Sequence, residues 1–531
     1  MDQSEENHDS TNYSILKSFK FLLLIVVLSY LISMYYILRY NFLILDSDAI
    51  ALSNAINALL QTEDITQSFN FFQYSNGILY QLFSYIFIKV NNITIVDYQQ
   101  IFRPILGSFT IFSGILFFYI FFKKNCENLL ISLVLFLLSP VILSQSIRAS
   151  HALLSFSFFL ISLYLFVNYI RTRNPNFFLL LCMINFSFSV TNLFFAFILT
   201  ICQIILLFYF FYESKILTKF HLLNYQKTIL LSSIMFVIFI IGGKYTYNVS
   251  YDMMTNVFSI IYGTALKTTS ESLIIPVAYT YISTWKNPFV YWGIIYLYNI
   301  TILPFSLIIY FVTLYKYYFK KRALDFLERF TLVCFSLFGL LVLAAIFIDL
   351  LGLQIGSNLQ LRLIVFIIPF CIVLIVLFSK ISLKIANISV FLSATKLLLC
   401  LIFLLGALIY ITGDPYFSNS WRFTDNNEKI SILWINDNRI DSFKIWLGEA
   451  SPSGSRIFFV SRLFEMNLSK LQTTIFDASY ISSQYLIESN ILTSHSFEIS
   501  SVIPTYYRYN KIFSITPNNA VYFNDKSHNH S

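Results

Sequence analysis

At 531 residues and 61.9 kDa the chain is long enough for two or three domains, yet hydrophobic residues make up 57% of it and charged residues only 12%, with a mean hydropathy of +0.70. Soluble chains carry about a quarter charged residues, so a soluble enzyme, a nucleic-acid binder and a disordered scaffold are all excluded, and a polytopic membrane protein is expected. The net charge of +8 describes topology before partners, and six cysteines, none beyond position 400, are too few for a disulfide framework.

In chain order, 1–16 is a polar, disordered tail on the cytosolic side. The apolar run 18–38 has no small-residue cleavage site after it and reads as a signal anchor. Ten further runs of spanning length lie at 102–122, 128–146, 151–170, 176–190, 191–212, 228–244, 289–314, 330–350, 362–379 and 397–412. That makes about eleven spans, with the pair over 176–212 divided at Ser187–Asn192. The segment 74–90 is apolar too, and loop charge decides its place. Lys and Arg collect on the cytoplasmic side. If 74–90 lies at the outer surface, Lys17/Lys20, Lys123–Lys124, Arg171–Arg173, Lys215/Lys219/Lys227, Lys316/Lys320/Lys321/Arg322 and Lys380/Lys384 all face the cytoplasm. The N-terminus is then inside and the C-terminus outside the cell membrane.

On this topology the membrane domain runs from 17 to 412, and three pieces stand outside: loop 40–101, loop 245–288 and the tail 413–531. In the tail, Asn426–Asn438 predicts a helix, and FKIWLG (443–448), RIFFV (456–460), TIFD (474–477), KIFSI (511–515) and AVYFN (520–524) predict short strands. YISSQYLIES (480–489) predicts a second helix. The fold class expected is mainly α: a membrane helix bundle with a small extracytoplasmic α/β domain.

Loop 40–101 holds the most informative residues. Asp46-Ser47-Asp48 places two carboxylates at the membrane surface, and AIALSNAINALL follows, apolar at 49, 50, 52, 55, 56 and 59. This is the pattern of a helix lying in the interface. Asp48 stands at its N-terminus, where a carboxylate caps free N–H groups. Capping is one reading of Asp46 or Asp48; chemistry at the lipid–water boundary is the other.

These motifs, in this order, resemble the GT-C superfamily, integral-membrane glycosyltransferases that use polyprenyl-phosphate-linked sugars, and within it the protein-mannosyltransferase and aminoarabinose-transferase branch. The resemblance runs from the first span to about residue 212, and more loosely over Arg362–Pro369 and the tail. The family's acidic motif, small-residue interfacial helix, aromatic segment and following span-initial Arg read here as Asp46–Asp48, Ala49–Leu60, Tyr74–Tyr80 and Arg103. Ser139-Pro140 ends the third span, and NLQLRLIVFIIP (358–369) matches a late Arg-to-Pro element. The family's proline-rich segment is Tyr74-Ser75-Asn76-Gly77, without proline, and the second outer loop, Gln145–His151, carries no acid.

The resemblance implies a catalytic Asp48, with Asp46 as alternative or orienting partner. An ionised carboxylate at the headgroup plane can take an acceptor hydroxyl's proton. It also implies Arg362, Arg148 and Arg103 as holders of the departing phosphate, against the alternative that each snorkels toward lipid headgroups. Tyr74 and His151 join them as substrate-binding candidates; a lone His at a span end is also read as structural. No metal-ligand spacing is present, so a divalent ion would rest on Asp46 and Asp48 alone. The partners implied are a polyprenyl-phosphate-linked sugar, an acceptor and the bilayer, without nucleic acid. A transporter or flippase, and a non-catalytic protein on a GT-C-like scaffold, remain the alternatives. Against the transporter, charges cluster at span ends and the span centres are almost clean, with Asn185 and Asn299 as mild exceptions.

Overall fold

The computed structural model describes residues 42–44, 47–63, 77–123, 125–139, 151–216, 225–245, 288–319, 324–350, 359–378, 424–438, the strand segments 443–446, 471–473, 485–488, 510–516 and 519–523, and single positions between 23 and 34 and at 142 and 401. The fold is mainly helical. The helices are α1 (Ser47–Thr62), α2 (Ile78–Asn91), α3 (Arg103–Phe122), α4 (Cys126–Leu137), α5 (His151–Thr172), α6 (Pro175–Thr191), α7 (Leu193–Ile216), α8 (Tyr225–Tyr245), α9 (Pro288–Tyr318), α10 (Phe326–Leu350), α11 (Leu359–Phe378) and α12 (Asn426–Asp437). Among the described residues, five helical stretches are long and apolar enough to cross a membrane: Ile95–Phe122, His151–Thr172, Leu193–Phe210, Gln226–Gly243 and Phe326–Phe347. Their outward faces are apolar; on α10, Leu340, Leu343 and Phe347 form an exposed stripe. Water would not tolerate such surfaces, so the protein is membrane-embedded.

Aromatic side chains fix how the helices run. Phe156 and Phe159 of α5 meet Phe366 of α11 with ring centroids 6.0 and 4.7 Å apart, and Phe117 of α3 meets Phe370 at 5.6 Å. Thr110 Oγ1 of α3 lies 3.0 Å from Ser157 Oγ of α5. These pairings make α3, α5 and α11 parallel. At 1.5 Å rise per residue, their first turns end within roughly one turn of the same height. α4 and α6 run back antiparallel, with Phe118 against Phe136 and Tyr169 against Phe178. α10 starts beside the end of α3, with Phe330 against Phe121. One end of the bundle therefore gathers Arg103, His151, the end of α6 and the start of α11. The other gathers Lys123, Arg171, Arg173, Lys227 and Lys316.

Local chemistry explains the helix limits. The break expected at Ser187–Asn192 falls at Asn192, whose extended backbone (φ −153°, ψ 95°) separates α6 from α7. α4 is only 12 residues long and stops before Ser139-Pro140, because a proline disfavours helical geometry in the residue before it. The expected spans 18–38 and 397–412 lie almost wholly outside the described residues.

In the tail, α12 forms where Asn426–Asn438 is read as a helix. Strands β3 (Phe443–Trp446), β4 (Leu471–Thr473), β5 (Tyr485–Glu488), β6 (Asn510–Thr516) and β7 (Asn519–Phe523) pair in the order β4-β3-β5-β7-β6. The helix expected over 480–489 is corrected: Tyr485–Glu488 pairs parallel with β3 and antiparallel with β7. Hydrogen bonding on both edges outweighs the weak local preference for helix. RIFFV and TIFD lie outside the described residues. A further pair, β1 (Phe42–Ile44) with β2 (Thr424–Asp425), is antiparallel and brings the start of the tail beside the chain leading into α1.

Candidate functional site

The site is built around the approach to α3. α2 ends at Asn92 in the left-handed conformation (φ 50°). Thr94 and Asp97 then form a capping box: Asp97 N donates to Thr94 Oγ1 (3.1 Å), and the Asp97 carboxylate accepts from Thr94. Between this turn and α3 the backbone makes one π-helical turn, Tyr98–Phe102, in which Arg103 N donates to the Tyr98 carbonyl. Pro104 accounts for it. A proline has no N–H for the carbonyl four residues back, and its ring crowds that carbonyl; the wider turn relieves the crowding.

Six polar residues are buried here: Ser53 of α1, Tyr80 and Ser84 of α2, Tyr98 and Gln99 of the π turn, and Arg103; none is more than 2% exposed. Gln99 Nε2 donates to Ser53 Oγ at 2.9 Å. Ser84 Oγ lies 2.7 Å from the Tyr80 carbonyl and 2.8 Å from the Tyr98 hydroxyl. A serine has one hydrogen to give, so Ser84 serves the carbonyl and the Tyr98 phenol donates to Ser84. Arg103 Nε donates to the Gln99 carbonyl at 3.4 Å. Burial pushes the Tyr80 phenol up to about 12, with the Arg103 guanidinium pulling the other way. Tyr80 therefore stays neutral at any physiological pH. The six residues carry one formal positive charge and are rich in N–H and O–H donors, which is the chemistry that receives anions.

Two helices too short to cross cover this cluster. α1 buries Leu52, Ala55, Ile56 and Leu59, the face its apolar spacing predicts. α2 is reversed: Tyr80, Gln81 and Ser84 point inward while Phe83, Ile86 and Val90 are exposed. Its 14 residues span about 21 Å against a hydrocarbon core of about 30 Å. The exposed Lys89–Glu63 ion pair ties the end of α1 to the end of α2, holding the Glu63 carboxyl below and the Lys89 ammonium above its ordinary value. At the other end of α2, Gly77 adopts φ +91° and donates its N–H to the Thr191 carbonyl at 2.9 Å. A Cβ there would come within 2.7 Å of the His151 Cβ.

The expected site residues distribute as follows. Asp48 lies in the first turn of α1, five residues and roughly 7.5 Å before Ser53. Arg362 lies in the first turn of α11. His151 is buried as the first residue of α5, over Gly77. Arg103 is fully buried and turned back onto the π turn; the snorkelling alternative does not describe it, because Tyr80 and Gln99 surround it with polar groups. The backbone thus brings Arg103, His151 and Arg362 to one end of the bundle, with Asp48 on the helix above Gln99. Asp46, Tyr74 and Arg148 lie outside the described residues. Among the described residues no three His, Cys, Asp or Glu come together to hold a metal.

Ser53, Tyr80, Ser84, Tyr98 and Gln99 were not among the sequence candidates. Their signal was the polar run Tyr98-Gln99-Gln100 directly before a span that opens with Arg103-Pro104. No protein-family model and no curated protein matches this chain.

Proposed function

We propose that the chain is a multi-pass membrane glycosyltransferase, with its N-terminus in the cytoplasm and the α1–α2 end of the bundle outside. It moves a sugar from a polyprenyl-phosphate donor to an acceptor hydroxyl. The tail 413–531 is an extracytoplasmic α/β domain on that same end. The observation that carries the reading is the pair of non-spanning helices laid over a buried, donor-rich cationic cluster where the transmembrane bundle begins. A lipid-linked sugar phosphate presents its anomeric carbon at this depth.

In the reaction, Asp48 takes the acceptor's hydroxyl proton as the oxygen attacks the anomeric carbon. The bond from that carbon to the phosphate oxygen breaks, and the polyprenyl phosphate leaves with its electron pair toward Arg362, whose planar fork suits phosphate oxygens. Arg148, Tyr74 and His151 are the further donor-binding residues of this reading, and Arg103 supplies positive potential at the head of α3. The basic loops gathered at the far end of the bundle support this orientation. A non-catalytic scaffold is the second reading, favoured by the absence of proline from Tyr74–Gly77 and of an acid from Gln145–His151.

The test is transfer in liposomes holding the purified protein and a panel of polyprenyl-phosphate sugars, followed as release of polyprenyl phosphate. Asp48→Asn keeps the shape of this first-turn side chain but loses the proton acceptor, so transfer is expected to fall about 10²–10⁴-fold with abundance unchanged. An Asn variant of near-normal activity would make Asp48 a first-turn helix carboxylate and nothing more.

A further inference from the structure

The adjacent residues of the π turn reach different helices. Tyr98 bonds to Ser84 of α2 and Gln99 to Ser53 of α1. A regular α-helix would carry these two side chains about 100° apart with no freedom to adjust; a π turn widens the local geometry and often marks functional sites. The Ser53–Gln99 bond joins residues 46 apart in sequence and is fully buried. Either orientation of the amide satisfies it, since a serine hydroxyl both donates and accepts. In surroundings of low dielectric such a bond is hard to exchange for water. Apolar packing of Leu52, Ala55, Ile56 and Leu59 also holds α1 but is non-directional, and the Lys89–Glu63 pair is exposed and screened by solvent.

We propose that Gln99 is a positioning residue: through Ser53 it sets the depth and rotation of α1, and with them the place of its first turn, which carries Asp48. The cluster itself is held to the same turn, because Arg103 Nε bonds to the Gln99 carbonyl. One residue thus fixes base helix and cation in a common frame, by its side chain and its backbone. This inference rests on the glycosyltransferase reading for its catalytic consequence but not for its geometry.

The experiment combines kinetics with a distance. Spin labels are introduced as unnatural amino acids at Gln61 on α1 and Ile105 on α3, both exposed. Gln99→Ala is expected to broaden the Gln61–Ile105 distance distribution. It should lower kcat about 10–100-fold, the scale of a small misplacement of a catalytic group, with the donor KM within about twofold of wild type. Ser53→Ala should do the same, and the double variant should be no worse than either single one, because both remove the same bond. An unchanged distribution with unchanged kcat in Gln99→Ala, or losses that multiply in the double variant, would overturn the proposal. If Gln99→Ala does not fold, Ser53→Ala breaks the bond with a smaller change and decides alone. If wild type transfers no sugar from any donor, the functional reading fails, and the distance distribution decides the positioning role by itself.

Discussion

Two buried polar networks in this protein invite comparison. In the bundle interior, Ser162 donates to Asn185 Oδ1 (2.6 Å), Asn185 Nδ2 to Gln203 Oε1 (2.8 Å) and Gln203 Nε2 to Ser162 Oγ (2.7 Å). This ring is neutral, closes on itself and joins three consecutive helices, α5, α6 and α7. The network at the head of α3 carries a cation, runs in a branched line from Ser53 to Ser84, and joins a membrane helix to two helices that do not cross. Closure is the difference. A closed ring pairs its members with one another and serves helix association; a branched, charged network sets positions and potential around something else.

The comparison can be broken from the head first. Arg362→Leu is expected to cut donor-dependent transfer by about 100-fold and Arg362→Lys by about 10-fold, since lysine keeps the charge but loses the two-point grip. Snorkelling predicts instead that Lys equals Arg and Leu matters little; kcat/KM for the two variants separates these outcomes. Next comes the hinge of α2. Gly77→Ala puts a Cβ against His151 at a backbone angle that side chains resist, and should cost about 2 kcal/mol or more of stability, measured as a lower Tm in detergent with transfer also reduced. The smallest effect belongs to the closed ring. Asn185→Ala leaves Gln203 and Ser162 short of one bond each and should cost about 1 kcal/mol. Activity should stay within about twofold at permissive temperature. A large loss of transfer in Asn185→Ala with an unchanged Tm would end the division of labour between the networks.

Some of this was legible in the sequence because it rests on local periodicity. That α1 is amphipathic follows from the apolar spacing of 52, 55, 56 and 59, although that face packs into the protein rather than lying on lipid, and the break at Asn192 follows from a polar patch inside a long apolar stretch. α2 is placed outside the spans by loop charge alone. Its inward polar face was harder to read. In water, apolar residues mark the buried side; beside lipid they mark the exposed one, and only the neighbours of Tyr80 and Ser84 tell which applies. Tyr485–Glu488 was misread for a related reason, because pairing with β3 and β7 comes from segments about 40 residues away on either side.

The sequence by itself determined that the chain is membrane-embedded, mainly helical, and where charges sit along it, because hydropathy and charge are sums over neighbouring residues. It also named Arg103 as the residue that opens α3. Only the tertiary structure decided that Arg103 turns inward, that Gln99 takes hold of Ser53, and that Arg103, His151 and Arg362 share one end of the bundle. Those are contacts between segments far apart in the chain, fixed by aromatic packing among α3, α5 and α11, and no local pattern encodes which helix a side chain will meet.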